Sequence, residues 1–392
     1  NVPVIEDVLA IRAVAFRHDD DGYVDNIVES DPIITDAATV LGAANLLVNQ
    51  DDMGAKEYVG GRIAALWQPS DKLNITFQYV VQDGEQEGWT NASADYTQTR
   101  FHFGGAYGGK NEGTDDELDI INLVAEYDLG WATVLSSSSW IEEASNLRFD
   151  GALFFGTGAN KTFFFGEIET DVDVFVEEVR LVSQLDGPLQ YLVGFYYEDR
   201  EKFTTDEAHS GGDLSLGFHG PTMPRFGPGN TKISKSFLTI DTQQWAAFGE
   251  VSYDLSEQIE FTLGARWFDY DRERGQESDS GAAGGSPLQV ARTSESDINY
   301  KANISYRPND NMLVYAQWAE GFRLGGLNLF PISDTTRTRC DVDNDGILDG
   351  TSAPLDEDFR SDSLENLELG VKLTLMENRL QVNGSIYQIN WE

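Results

Sequence analysis

The feature that most constrains the fold is a two-residue period of apolar and polar side chains. In LNITFQYVVQ (73–82), apolar residues occupy every second position, and the positions between them are polar except for Val80. The same alternation runs through IEFTLGARW (259–267), DINYKANISY (297–306) and NLELGVKLTL (366–375). Alternation over about ten residues predicts a β-strand with one apolar and one polar face.

Thirteen such segments follow one another, and short connections between them alternate with long ones rich in Gly, Asp, Ser and Asn. Short turns at one end and long loops at the other are the plan of an outer-membrane barrel, whereas sandwich strands typically have about five or six residues. The pattern favours an all-β fold, an antiparallel transmembrane β-barrel, over a soluble β-sandwich or a β-helix. The predicted strands are 8–18, 57–68, 73–83, 118–127, 131–141, 172–184, 189–201, 242–253, 259–272, 295–306, 312–321, 363–375 and 379–391.

Composition narrows the possible partners. The chain has 67 acidic and 27 basic side chains, a net charge of −40, yet 40% of its residues are hydrophobic, which is too many for a disordered acidic tail. So negative a field repels phosphates and argues against nucleic acid and anionic lipid as partners. No apolar run approaches the ~20 residues of a membrane-spanning helix, and without one only a β-barrel can cross a membrane.

Charged side chains on the polar faces of the strands are expected to point into the barrel lumen, toward water or another domain. They form no recognisable catalytic set, and the four histidines are scattered, so the sequence predicts a protein that is not an enzyme. These inward charges are Arg12, Glu126, Glu178, Arg180, Arg266, Glu368 and Lys372.

The strand count indicates that the chain is one part of a longer barrel. Thirteen is odd, whereas bacterial barrels of this kind have an even number of strands. An open edge in lipid would leave a row of backbone groups without hydrogen bonds. The first residues, NVPVIED (1–7), are interpreted as a turn, and the last predicted strand reaches the end of the chain.

Four segments resemble the strand–turn–strand units of TonB-dependent outer-membrane receptors, and they occur in that family's order. The segments are 8–26, 175–201, 312–328 and 364–391. The resemblance covers nearly all strands and turns and is weak in the long loops. It implies a barrel of 22 strands, of which residues 1–392 would supply about strands 3 to 15, without the plug domain. The short turns would face the periplasm.

The resemblance also implies a location and a function. Members lie in the outer membrane of Gram-negative bacteria, in contact with its lipid, and import a scarce nutrient, most often a ferric siderophore or a similar iron complex. The TonB complex would supply energy through the plug. A passive porin, a surface-binding barrel and TonB-dependent uptake of carbohydrate, cobalamin or heme stay open as alternatives.

Two groups of residues are candidates for substrate binding. The loop GALFFGTGANKTFFFG (151–166) carries aromatic side chains that can stack on a planar ligand, although packing within the loop is the alternative. The segment EGFRLGG (320–326) resembles a family marker at the barrel rim, where Arg323 would contact substrate or plug, or serve structure alone. The candidates are Phe154, Phe155, Phe163, Phe164, Phe165 and Arg323.

The long loop 322–362, which is expected outside the cell, contains an acidic segment, DVDNDGILDG (341–350). Its spacing matches the first five ligand positions of a calcium loop, with glycine at the sixth position. Position 12 is Ser352 instead of glutamate, so the last ligand would come from residues 356–358, or the site would lack it. A calcium site that stiffens the loop is predicted; a plain acidic turn and a calcium-dependent adhesive module are the alternatives. The predicted ligands are Asp341, Asp343, Asp345, the carbonyl of Ile347 and Asp349, directly after the single cysteine, Cys340.

Overall fold

The computed structural model describes residues 1–30, 48–88, 98–99, 112–150, 164–210, 232–279, 286–327 and 358–392, with a few isolated positions between 32 and 39. These residues are almost entirely strand. The strands are β1 (Val2–Ile5), β2 (Leu9–Asp20), β3 (Val24–Asn26), β4 (Gln50–Met53), β5 (Ala55–Ser70), β6 (Leu73–Glu87), β7 (Gln98–Thr99), β8 (Gly113–Asp128), β9 (Ala132–Asp150), β10 (Phe164–Ser183), β11 (Leu189–Ser210), β12 (Lys232–Ser256), β13 (Ile259–Asp279), β14 (Ser286–Asn309), β15 (Met312–Arg323), β16 (Gly326–Leu327), β17 (Asp358–Phe359), β18 (Asp362–Leu375) and β19 (Leu380–Trp391).

Fourteen strands form one antiparallel sheet, and each pairs with the member of this sheet that follows it along the chain. Its order is β1-β2-β5-β6-β8-β9-β10-β11-β12-β13-β14-β15-β18-β19. β3, β4 and β7 make a small separate sheet, and β16 pairs with β17 as a two-stranded ribbon. Within the described part of the chain, no helix is long and apolar enough to span a membrane.

All thirteen predicted strands are present, but the interpretation of residues 1–7 as a turn was wrong. Val2–Ile5 forms β1, antiparallel to β2, so the sheet has a fourteenth strand and the count is even, not odd as the sequence predicted. β1 lies at the edge of the sheet, where a proline such as Pro3 is tolerated because its missing N–H is not needed on the open side. The turn lies later, at Asp7, whose φ of 57° is in the left-handed region.

Several strands are much longer than predicted. Pairing between β10 and β11 continues from Val182↔Leu192 to Phe164↔Ser210, so the ladder covers much of two segments that were expected to be loops. The apolar outward positions end near Phe175, above which the outward side chains of β10 include Asp173, Asp171 and Glu169. The pattern marks only the part of a strand that faces lipid, whereas backbone pairing goes on into water.

The two faces of the sheet differ as the alternation predicts. Large apolar side chains are exposed along one face, among them Val251 (48% exposed) and Leu263 (64%). So wide an apolar surface is the outward, lipid-facing side of a membrane barrel, and the polar face lines the lumen. Trp140, Tyr197 and Trp267 lie eight residues after the first residues of β9, β11 and β13. At a rise of about 3.4 Å per residue and a tilt of about 40°, that is about 20 Å above the short turns.

Candidate functional site

The inward face of β10 to β13 carries cationic and aromatic side chains in contact. The guanidinium carbon of Arg266 lies 5.3 Å from the ring centre of Tyr196 and 5.7 Å from that of Phe248. The guanidinium carbon of Arg180 lies 6.0 Å from the same Phe248 ring. We call Arg180, Tyr196, Phe248 and Arg266 the inner cluster. Its two arginines are among the charges that the alternation predicts to point inward.

The basic side chains on the inward face of the sheet differ in how their charge is balanced. Arg180 forms an ion pair with Glu178, and Lys301 forms one with Glu250 at 2.8 Å. Among the described residues, no carboxylate forms an ion pair with Arg266, whose guanidinium is held by the two aromatic rings. A guanidinium held in this way keeps its N–H donors for a ligand with a planar anionic group.

Above the inner cluster, the chain leaves the wall and packs against its inner side. Pairing of β14 with β15 ends at Lys301↔Ala319, although both strands continue. Phe322, a few residues further along β15, stacks on Phe268 of β13 with the ring centres 3.7 Å apart. Leu324 packs against the buried cluster to which Phe268 belongs. The end of β15 is thereby drawn inward over β13.

Residues 324–327 and 358–361 together form what we call the loop root, because they flank the long segment 328–357. The two halves pair through Gly326↔Phe359. A Cβ atom on Gly325 would lie 2.5 Å from the carbonyl oxygen of Phe359 and 2.7 Å from the Tyr270 hydroxyl. Neither Gly325 nor Gly326 has a positive φ. These glycines of the EGFRLGG segment are therefore required for close approach to the wall.

Hydrogen bonds fix the loop root to β13 and β14. The Ser361 N–H donates to the carboxylate of Glu295 at 2.9 Å, and the Tyr270 hydroxyl donates to the same carboxylate at 3.2 Å. Arg272 donates to the carbonyl of Gly325 at 3.4 Å. Desolvation alone would raise the pKa of Glu295, but the hydrogen bonds from Ser361 and Tyr270 and the charge of Arg360 bring its pKa below the ordinary value.

Arg323, a predicted substrate-binding residue, lies at the rim beside the last two strands. It forms an ion pair with Asp362, and its guanidinium carbon lies 5.4 Å from the ring centre of Trp391. The indole N–H of Trp391 donates to the same Asp362 carboxylate at 3.2 Å. These contacts join β15, β18 and β19 at the rim, and a role of Arg323 in substrate binding stays a prediction.

Most of the other predicted site residues lie outside the described residues; Phe164 and Phe165 lie within them. Phe164 and Phe165 begin β10, where their backbones pair with Ser210 and His209. Within the described ranges, no group of three or more His, Cys, Asp or Glu side chains is placed to hold a metal ion. The residues that lie outside are Phe154, Phe155, Phe163, Cys340, Asp341, Asp343, Asp345, Ile347 and Asp349.

Sequence reasoning missed the loop root and half of the inner cluster. Alternation alone puts Tyr196 and Phe248 on the inward face, and that signal was available. The contact of Glu295 with Ser361 joins residues 66 positions apart. It depends on β15 separating from β14, which no local pattern indicates.

Comparison with known proteins agrees with this architecture. Residues 41–391 match the family model described as TonB dependent receptor-like, beta-barrel. The ferric yersiniabactin uptake receptor FyuA from Yersinia pestis superposes with a TM-score of 0.71 at 14% identity, covering 100% of this chain and 51% of that one. The ferric-catecholate import receptor Fiu from E. coli K12 gives a TM-score of 0.62 at 15% identity, with coverages of 99% and 55%.

The siderophore receptor PiuA from Acinetobacter baumannii gives a TM-score of 0.61 at 13% identity, covering 97% of this chain and 53% of that one. At such identities the likeness is one of fold, and this chain spans about half the length of each solved structure. The match to the family model extends over most of the sequence. The chain therefore belongs to the TonB-dependent receptor family, whose β-barrels lie in the outer membrane of Gram-negative bacteria.

Proposed function

We propose that this chain forms part of a receptor that imports a ferric siderophore or a similar iron complex, with energy supplied by the TonB complex through a plug domain. The family consists of transport receptors, and the solved structures named above are receptors for iron chelates. The apolar outward face and the polar inward face suit a wall around an aqueous passage. In this proposal the protein carries out no catalysis.

The observation that carries the choice of substrate is Arg266 on the lumen wall. A chain with a net charge of −40 repels anions on average. An inward guanidinium that is held by Tyr196 and Phe248, without a carboxylate partner among the described residues, provides a local cation for an anionic chelate. A charge-assisted hydrogen bond of this kind contributes about 1.5–3 kcal/mol.

The test is uptake of a radioactive ferric chelate by iron-starved cells that produce the complete receptor. We expect uptake to require TonB and to fall about tenfold or more in Arg266→Gln, because the lost hydrogen bond is worth at least that factor. Arg17→Gln is the matched control, since Arg17 is an exposed arginine paired with Asp19 and Glu57 outside the inner cluster. Uptake that is equal with and without TonB would favour the passive porin instead.

We further propose that residues 341–349 bind calcium and stiffen the segment between the two halves of the loop root. The support is the spacing of three aspartates, a glycine and a fourth aspartate. Asp358, a candidate for the last ligand, accepts a hydrogen bond of 3.0 Å from Thr293, so a calcium ion bound there would be tied to β14.

Calorimetric titration of the intact protein with calcium tests this second proposal. We expect binding in the micromolar to millimolar range that disappears in Asp343→Asn combined with Asp345→Asn. A matched double variant with Asp115→Asn and Asp116→Asn on β8 removes the same charge elsewhere and should keep the binding. Absence of heat at millimolar calcium contradicts the proposal.

A further inference from the structure

One acidic side chain breaks the separation between the two faces of the wall. Glu177 of β10 pairs across the sheet with Ser138 and Tyr197. It lies between Phe175 and Val179 on the outward positions of the strand, and Val179 is exposed on the lipid-facing side. In the described strands of the main sheet, the other outward positions between the level of Trp140, Tyr197 and Trp267 and the short turns are uncharged. Glu177 therefore faces the region of lipid.

Two serines hold this carboxylate in place. The Ser136 hydroxyl donates to one carboxylate oxygen of Glu177 at 2.8 Å, and the Ser138 hydroxyl donates to the other oxygen. Both serines lie on outward positions of β9, on the same face as Trp140. Each carboxylate oxygen can accept a further hydrogen bond. Ser136, Ser138 and Glu177, which we call the outer site, are thus fixed and still able to bind a donor.

Aromatic rings form a continuous arc beside the outer site across β9 to β12. Neighbouring ring centres lie 5.2 Å apart between Trp140 and Phe175, 6.2 Å between Phe175 and Tyr197, and 4.1 Å between Tyr197 and Trp245. Tryptophan and tyrosine in such a band mark the level of the lipid headgroups. Glu177 lies one outward position below Phe175, about 5 Å deeper for a strand tilted by about 40°.

The charge of Glu177 is not balanced by a cation of the protein. No basic side chain of the described residues forms an ion pair with it, and its hydrogen bonds come from two neutral hydroxyls. A carboxylate at the edge of the hydrocarbon layer is stabilised by a cation that donates hydrogen bonds. At this depth, beside the arc, the group available from outside the protein is a lipid headgroup.

We propose that the outer site binds a membrane lipid whose headgroup carries a primary ammonium. The ammonium donates to the carboxylate oxygens of Glu177 that Ser136 and Ser138 orient, and it is flanked by the ring faces of the arc, which attract cations. A quaternary ammonium has the charge but no N–H donor, so it satisfies only part of this site. A purely anionic headgroup is repelled.

Native mass spectrometry of the intact receptor, released from nanodiscs of defined composition, tests the proposal. We expect at least threefold more phosphatidylethanolamine than phosphatidylcholine to stay bound, and least phosphatidylglycerol. In Glu177→Gln the preference for phosphatidylethanolamine should be lost, since glutamine keeps the size and the contacts with serine but not the charge. Asp173→Asn is the matched control because Asp173 is an outward acid of the same strand, above the arc, and it should leave the preference unchanged.

The wild-type protein alone gives a second test if Glu177→Gln does not fold. Stepwise N-methylation of phosphatidylethanolamine removes one N–H donor at a time without removing the charge, so retention should fall with each methyl group. Equal retention across the methylated series overturns the proposal, and so does a preference that persists in Glu177→Gln. Preferential retention of a lipid without an amine also overturns it.

Discussion

The wall formed by β10 to β13 and the seam between β14 and β15 are built from the same kind of strand, yet they differ in how far their backbones pair. Between β12 and β13, pairing runs from Ser256↔Ile259 up to Lys235↔Asp279. Between β14 and β15 it stops at Lys301↔Ala319, and β14 continues for fifteen more residues to Ser286, paired with β13 but not with β15. The wall has a complete ladder of backbone hydrogen bonds above the membrane, whereas the seam does not.

Side chains replace the missing ladder at the seam. The N–H of Tyr300 donates to the carboxylate of Glu320 at 2.8 Å, and the N–H of Ile298 donates to that of Asp297 at 2.7 Å. Carboxylates that cap an open edge protect it from pairing with other strands. The loop root lies against the inner side of the same strands. Rigid pairing therefore holds the wall, while a few replaceable side-chain bonds hold the segment that leads into the long loop.

The largest expected effect comes from placing a charge on the lipid-facing side of the continuous wall. Leu263 lies four residues after the first residue of β13 and is 64% exposed on the outward face. Leu263→Arg should lower the free energy of unfolding by about 2–4 kcal/mol, because the guanidinium would lie near the middle of the bilayer. Chemical denaturation in lipid vesicles measures this loss.

Val290→Arg is the matched control on the open part of β14. Val290 is also outward and 47% exposed, but it lies ten residues above Tyr300 and outside the lipid. Val290→Arg should change the free energy of unfolding by less than about 0.5 kcal/mol. Equal losses in the two variants would mean that both positions face the same surroundings, which contradicts the assignment of the membrane band.

A smaller effect is expected when the hydrogen bonds at the loop root are removed. Glu295→Gln weakens the acceptor for the Ser361 N–H and the Tyr270 hydroxyl. The free energy of local opening of the loop root should therefore fall by about 1–3 kcal/mol. Hydrogen exchange at the amides of Gly326 and Ser361 measures this opening, and exchange along β12 should not change. Asp297→Asn is the control, since Asp297 is on the same strand and caps only its neighbour. Unchanged exchange in Glu295→Gln would mean that the hydrogen bonds of Glu295 do not hold the loop root.

Alternation predicted the wall well because each strand there is buried in lipid on one side and faces the lumen on the other. It failed where neither condition holds. Val2–Ile5 is a short edge strand, and in the upper part of β10 the outward positions are acidic while the inward ones include Ile168 and Val172, so neither shows apolar outward and polar inward residues. Phe322 turns inward only because β15 has separated from β14, and that depends on tertiary contacts. Glu177 was visible in the sequence as an acid on the apolar side of its strand, but its serine partners require the register of β9.

The smallest expected effect is a response of the loop root to acid. The folded-state pKa of Glu295 is lowered, so its ionised form contributes stability above the ordinary glutamate pKa of about 4.3, and that contribution is lost as the pH falls through the lower folded value. With Cys340→Ser as background, spin labels at Leu327 and Val290 report the distance from the loop root to β14. We expect a constant distance from pH 7 to 5 and a broader distribution near pH 3.

Two variants make the acid response specific. In Glu295→Gln the distribution should already be broad at pH 7 and should not change with acid, because the titrating group is gone. In Asp297→Asn the narrow distribution and its acid transition should both persist. If acid broadens the distribution equally in Glu295→Gln and in the wild type, another group controls the root, and the seam differs from the wall for a reason other than the Glu295 bonds.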